Sequence, residues 1–168
     1  MKDTYIVDGY NLLFANDMLS KLATESLEDA RDSLLRQLEE FSSYNNLRVI
    51  VAFDAHRTKG GQGSRGEFGP LTVIYTSEKE TADTLIESLV KEFLSLGRVY
   101  VVTSDWEQQK IIFGHGALRV SGREFWLQLK QTKISIEKDR GSGQYIRQEI
   151  GDRLDQNTRD ILEKWRRK

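Results

Sequence analysis

The chain has no cysteine, only two histidines (His56 and His115) and a single proline among its 168 residues. Without cysteine there is no disulfide framework, no thiolate zinc site and no cysteine nucleophile. Two isolated histidines leave little material for a His-rich metal centre or a Ser-His-Asp triad. An excess of one charge is missing as well. The 25 Lys and Arg residues face 26 Asp and Glu, for a formal net charge of -1. That balance excludes a uniformly basic nucleic-acid coat but leaves local patches open. No window approaches the roughly 18 apolar residues that span a bilayer. The apolar N-terminal stretch is broken by Asp8 and Asn11, which a secretory core would not tolerate. The expectation is a cytoplasmic protein, monomeric or weakly dimeric, with no membrane partner. Any chemistry falls to carboxylates.

What is present alternates between two periodicities. Thr4–Asp8, Arg48–Asp54, Leu71–Tyr75 and Val99–Thr103 are near-continuous apolar runs rich in Val, Ile and Tyr, with Ala117–Val120 as a weaker fifth. Such runs suit parallel strands buried on both faces. Between the first two, Leu27, Ala30, Leu34, Leu38 and Phe41 recur at helical spacing; after the third, Ala82, Leu85, Ile86, Leu89 and Phe93 do the same. The pattern predicts a three-layer α/β fold with a mostly parallel central sheet. A main domain is expected over residues 1–140, with a C-terminal helical extension over 141–168 packed on it or trailing from it. The glycines of Gly141–Gly143 mark the break. Capping-box pairs Ser77/Glu80, Ser104/Glu107 and Ser121/Glu124 predict three helix starts. The segment His56–Gly69, with five glycines and the basic residues Arg57, Lys59 and Arg65, reads as a mobile cationic loop.

Ligands of an open parallel sheet bind beyond the carboxyl ends of its strands. At that edge this reading places Asp8 after strand 1, Asp54 after strand 2 and Asp105 just past the Val99–Thr103 strand. Asp83 opens the helix after the Leu71–Tyr75 strand, with Glu80 one turn earlier. Gathered carboxylates repel unless a cation sits among them, and oxygen-only ligands favour Mg²⁺ or Mn²⁺. Each acid also has a local explanation. Asp105 suits a helix dipole, Glu80 a capping box, and Asp54 a turn into the glycine loop. Asp8, at the end of a buried strand and followed by Gly9, has the least structural purpose of the set. Gly9 lets the chain turn sharply, which aims Asn11 at a ligand or at Asp8, or leaves it a turn residue. Ser104 is a helix cap or a phosphate contact.

IVDGYNLL at 6–13, VAFDAH at 51–56, ETADTLIE at 80–87 and VVTSDWEQQ at 101–109 resemble the YacP-type branch of the NYN domains, as do the insert KGGQGSRG at 59–66 and the terminal EKWRRK. These are PIN-like nucleases related in fold to the FLAP and 5′-nuclease superfamily. The resemblance covers essentially the whole chain and implies a Rossmann-like PIN core. It further implies a metal-dependent endoribonuclease acting on mRNA in association with the ribosome. Asp8, Asp83 and Asp105 match the metal-coordinating positions, Asp54 the acid after the second strand, and Asn11 the first-motif asparagine; Glu80 precedes the matched aspartate by one turn. One or two Mg²⁺ or Mn²⁺ ions are the implied cofactor.

RNA needs basic surface beside such an acidic edge. Arg57, Lys59 and Arg65 supply it from the glycine-rich segment, Arg119 and Arg123 from a later helix start, and Trp106 offers either a stacking surface or core packing. Two other functions compete: a non-catalytic RNA- or ribosome-binding module of the same shape, and a small-molecule Mg²⁺ phosphohydrolase. For the latter, haloacid-dehalogenase-type enzymes need an acid two residues after the first, where this chain has Tyr10. No Walker A loop marks an NTP site, and no G-x-G-x-x-G opens a helix as a dinucleotide site requires.

Overall fold

The computed structural model describes residues 2–55, 62–105 and 114–153. Its elements run β1 (Thr4–Asp8), α1 (Gly9–Phe14), α2 (Asp17–Glu25), α3 (Leu27–Asn45), β2 (Arg48–Phe53), β3 (Gln62–Phe68), β4 (Leu71–Ser77), α4 (Ala82–Leu94), β5 (Val99–Val102), β6 (Leu118–Val120) and α5 (Gly122–Arg153). Among the described residues one six-stranded sheet forms in the order β3-β4-β2-β1-β5-β6. Every pairing is parallel except β3 with β4. No described helix is long and apolar enough to cross a membrane.

The apolar runs form the sheet's centre because alternate residues have a helical layer on either side to fill. Ile6, Ile50, Ala52, Ile74 and Val101 point to one face and pack with Ile86, Leu89, Val90 and Phe93 of α4. Val7, Val49, Val51, Phe53 and Val102 point to the other, where Leu12, Leu13, Leu19, Leu34, Leu38, Phe41, Phe125 and Leu129 close over them. With both faces covered, a strand has no polar side to show, so its sequence reads as a continuous apolar run. The expected α/β three-layer architecture is therefore present.

Three local expectations are corrected. Residues 62–68, read as part of a mobile loop, form the antiparallel edge strand β3, with Phe68 opposite Leu71 across a two-residue Gly69–Pro70 turn. Gly69 adopts φ +55 there, a conformation that favours glycine. The strand is polar because it lies at the edge of the sheet, and its glycines hide it from propensity. Second, Ser77 and Glu80 do not cap α4. Ser77 is still in β4, paired with Gln62, and the cap is Thr81, whose side chain accepts from the Thr84 N–H at 3.2 Å. Third, α5 runs through Gly141–Gly143 without a break. Glycine costs a helix only about 1 kcal/mol relative to alanine, and the Ser142 hydroxyl donates back to the Lys138 carbonyl at 3.0 Å.

The chain divides into two compact units, Met1–Thr132 and Lys133–Lys168. The first holds the sheet and both apolar layers. Within the second, the described residues belong to α5. Glu107 and residues 154–168 of the expected C-terminal helical extension lie outside the described residues.

Gly9 serves a purpose other than the sharp turn expected of it: its φ is not positive. A Cβ at this position would strike the Phe53 ring, 2.6 Å from Cδ1, and sit 3.0 Å from the Ala52 carbonyl oxygen. Phe53 is fully buried and cannot swing away. Gly9→Ala is expected to destabilise the fold by about 1–3 kcal/mol, the usual range for overpacking; an unchanged urea midpoint would contradict this.

The capping box at α5 forms as expected. The Ser121 N–H donates to Glu124 Oε2 at 2.8 Å, and the Glu124 N–H donates to Ser121 Oγ at 3.2 Å. The Ser121 hydroxyl first, then its backbone, hold the Glu124 carboxyl below its usual range. A carboxyl lowered on folding contributes fully above its unfolded pKa and loses that contribution as pH falls through the folded value. Carbon NMR titration of Ser121→Ala is expected to move the Glu124 pKa upward, and an unmoved titration would show that the hydroxyl does not set it.

Candidate functional site

Asp8 is the last residue of β1 and the N-cap of α1. Its Oδ1 accepts the Asn11 N–H at 3.3 Å. The acid expected to have little structural purpose thus has one, since a carboxylate suits the N–H groups at a helix start. Its location follows from register. Asp8 is level with Ala52 of β2, one step beyond the Val7–Val102 pair that joins β1 to β5. It is half-buried at the centre of the sheet's carboxyl edge.

The side chain of Asn11 spans the gap to β5. Its Oδ1 accepts the Ser104 N–H at 2.9 Å, and the Ser104 Oγ accepts the Gly122 N–H at 3.3 Å. Three chain segments, the starts of α1 and α5 and the exit of β5, are joined by these bonds. The donor on Ser104 fixes the orientation of the Asn11 amide, so Nδ2 supplies its hydrogen-bond donors. Fully buried Thr103 holds the same exit from behind. Its N–H donates to Val120 O at 3.1 Å, its Oγ1 accepts the Asp105 N–H at 3.1 Å, and its carbonyl accepts Arg119 Nε at 3.4 Å.

Beside these bonds lies an open cleft of about 480 Å³ lined by Asp8, Tyr10, Asn11, Phe14, Ala15 and Ser104. Tyr10 forms its rigid wall. Its ring meets Phe53 edge-on at 5.0 Å and stacks with Phe14 at 6.2 Å. Arg31 Nη1 donates to the Tyr10 hydroxyl at 3.0 Å, while its guanidinium lies 5.8 Å from the Tyr75 ring centre. Burial pushes the Tyr75 hydroxyl pKa up, so this ring stays neutral beneath the cation.

The structure brings Asp8, Asn11 and Ser104 into one cleft; Asp54, Glu80, Asp83 and Asp105 are not among its lining residues. They share the carboxyl edge in other ways. Asp54 follows β2, where the Ala55 N–H donates to Thr76 Oγ1 at 2.9 Å. Glu80 lies in the turn before Thr81, its N–H bonded to the Ser77 carbonyl at 3.1 Å. Asp83 is exposed in the first turn of α4, and Asp105 is exposed beyond β5. Among the described residues no three carboxylates or imidazoles close into a group able to hold a metal ion. The donors still fit a hard cation in kind, because Mg²⁺ is usually held by one or two carboxylates and fills its other positions with water and phosphate oxygens.

Of the cationic candidates, Arg65 is exposed on β3 opposite Ile74, and Arg123 is exposed in the first turn of α5. Arg119 commits its Nε to the β5 exit. Arg57, Lys59 and Trp106 lie outside the described residues. Sequence reasoning missed the aromatic wall. Its signal was the i, i+4 spacing of Tyr10 and Phe14 directly after Asp8, which places both rings on one helix face.

The YacP-like NYN domain family matches this chain over residues 5–167. A Bacillus subtilis (strain 168) protein, described as uncharacterized protein YacP, is 41% identical over 137 residues, covering 81% of this chain and 80% of its own. A crystal structure of Rae1 (YacP) from Bacillus subtilis superposes with a TM-score of 0.73 at 37% identity, covering 98% of this chain and 95% of that one. A crystal structure of a point mutant of Rae1 gives 0.73 at 35% identity, covering 96% and 98%. The chain therefore belongs to the YacP-like NYN family, whose domain is a PIN-like nuclease domain.

Proposed function

We propose that this protein is a metal-dependent endoribonuclease that cuts single-stranded RNA, specifically mRNA engaged with the ribosome, leaving 5′-phosphate and 3′-hydroxyl ends. The observation that supports this best is a half-buried carboxylate, Asp8, at the centre of the sheet's carboxyl edge, opening on a cleft with Asn11 and Ser104 in a nuclease-like domain. Asp8, Asp83 and Asp105, with Asp54 or Glu80, would hold one or two Mg²⁺ or Mn²⁺ ions. When bound, such a cation supplies positive charge to the developing phosphorane and makes water a competent nucleophile at neutral pH.

The chain's own groups then orient the reaction. The Nδ2 donors of Asn11 hold a non-bridging phosphate oxygen, and the Ser104 hydroxyl donates beside them. Arg65 and Arg123, together with Arg57 and Lys59, supply the cationic surface that phosphate contacts require, and Trp106 a stacking surface. The non-catalytic binding module stays in view for one reason: the described acids do not close into a metal-holding group.

Asp8→Asn tests the acid without removing the cap, because asparagine caps helices as well as aspartate does. The fold should persist while cleavage falls by about a hundredfold or more, since losing even an outer-shell partner of a metal costs roughly 10- to 100-fold. Assays on naked and ribosome-engaged mRNA, with EDTA and with Mn²⁺ added back, separate the readings. Cleavage that survives excess EDTA would overturn the metal, equal cutting of both RNAs would overturn the ribosome, and no cleavage of either would favour the binding module.

Asn11→Asp keeps an acceptor for the Ser104 N–H but removes the Nδ2 donors. Thermal unfolding should change little, while cleavage drops by about 10²- to 10³-fold, the usual loss for an anion-stabilising donor. Asn11→Ala should additionally lose about 1 kcal/mol of stability with the bond to Ser104. Full activity in Asn11→Asp would remove the donor role.

A further inference from the structure

We propose that the cleft beside Asp8 is a nucleobase subsite, in which one unstacked base of the RNA strand lies against the Phe14 ring. The inference rests on the ribonuclease reading and deepens it by naming what the aromatic wall holds.

Phe14 is the last residue of α1 and remains 37% exposed, whereas its neighbour Tyr10, one turn earlier, is 5% exposed. The two rings stack at 6.2 Å with 27° between their planes. Tyr10 cannot follow a moving Phe14. Its ring is held by Phe53 and its hydroxyl by Arg31. Phe14 is therefore backed by a fixed aromatic ring while it contributes to the cleft wall. A rigid, partly exposed aromatic face is the surface on which single-stranded bases stack, and it accepts any base because each has a π-face.

The apolar lining selects the part of a nucleotide that fits. With the phosphate held by Asn11 and Ser104 beside Asp8, the rest of the lining, Tyr10, Phe14 and Ala15, is left for the neighbouring part of the strand. A neutral base meets such a surface without burying an unpaired charge. The cleft's volume, about 480 Å³, lies in the range that holds small ligands. The chain has no Walker A loop, and Gly63 and Gly66 of its one G-x-G-x-x-G string, GQGSRG at 61–66, lie in β3 and not at a helix start where they would cradle the phosphates of a free nucleotide. A base carried by a polynucleotide is the ligand these features fit. A paired base is already stacked within its duplex, so the subsite selects single strands.

The test measures binding without cleavage. Full-length protein in EDTA is titrated into short oligoribonucleotides carrying 2-aminopurine, whose fluorescence is quenched by stacking, at successive positions. Quenching is expected at one position. Phe14→Ala should weaken binding there by about five- to hundredfold, and Phe14→Trp should restore it. Phe14→Leu, which keeps apolar cover over Tyr10 and so protects the fold, should be as weak as the alanine variant. An oligomer lacking the base at that position should bind wild type and Phe14→Ala alike. The proposal is overturned if wild type does not bind, if Phe14→Leu binds like wild type, or if the variant's penalty persists on the abasic strand. Failure of the nuclease reading looks different: no RNA is cut with any metal, whatever Phe14 does to binding. Conversely, Asp8-dependent cutting with no effect of Phe14 on binding removes the subsite alone.

Discussion

The hydrogen bond from the Ser104 N–H to the Asn11 side chain is the contact on which the site's geometry depends. Its partners are separated by 93 residues, and it joins the corner after β1 to the exit of β5. In net stability such a bond contributes only about 1 kcal/mol. Its larger effect is orientational. With the acceptor committed to Ser104, the amide presents donors rather than a lone pair, and the Ser104 hydroxyl is anchored in turn on the first N–H of α5. Asp8 gains from the same arrangement, because the backbone N–H it caps belongs to Asn11. One residue thus fixes a carboxylate through its main chain and the opposite wall through its side chain.

This arrangement explains why parts of the molecule were legible in the sequence and parts were not. The central strands were readable because Val7, Ile50, Val51 and Val101 face a helical layer on one side or the other and leave no polar position to confuse the pattern. β3 was not readable. It lies at the rim, pairs on one side only and carries exposed Ser64, Arg65 and Glu67, so its sequence matches a loop. The Ser77/Glu80 pair misled because capping boxes are a local signal, and β4 extends through Ser77 for a non-local reason, its pairing with Gln62. For the long helix, the glycines near 141 promised a stop that their small helical cost does not enforce.

The site shows the same division between local and long-range causes. That Asp8 sits at the sheet's edge follows from the strand it ends, and any reading that finds β1 finds Asp8. That Asn11 is an acceptor for β5, and not a turn residue, depends on parallel register between strands far apart in the chain. Sequence spacing carries no trace of it. The aromatic wall falls between these cases: Tyr10 and Phe14 are locally spaced to share a face, but only the packing of Phe53 and Arg31 against Tyr10 makes one ring buried and leaves the other partly open. Residues that define the cleft's shape were thus hidden inside a motif that draws attention to its charge.

Under the nuclease reading, the double duty of Asp8 also bears on how cation and substrate affinities are linked. One carboxylate oxygen already accepts a backbone N–H at the start of α1. The positive end of that helix favours the ionised acid, yet opposes a cation brought to the same oxygen. The described acids add no closed group of three to offset this. A divalent ion held by one or two carboxylates completes its shell with other oxygens, and a phosphodiester in the cleft is a source of them. Metal and RNA affinities should then be reciprocally coupled, each ligand tightening the other by the same factor. Under that reading, an isolated domain would have a weak resting site that the substrate completes. Such a protein would depend on whatever delivers the strand to Asp8, which fits a chain whose net charge of -1 gives it no general attraction for RNA.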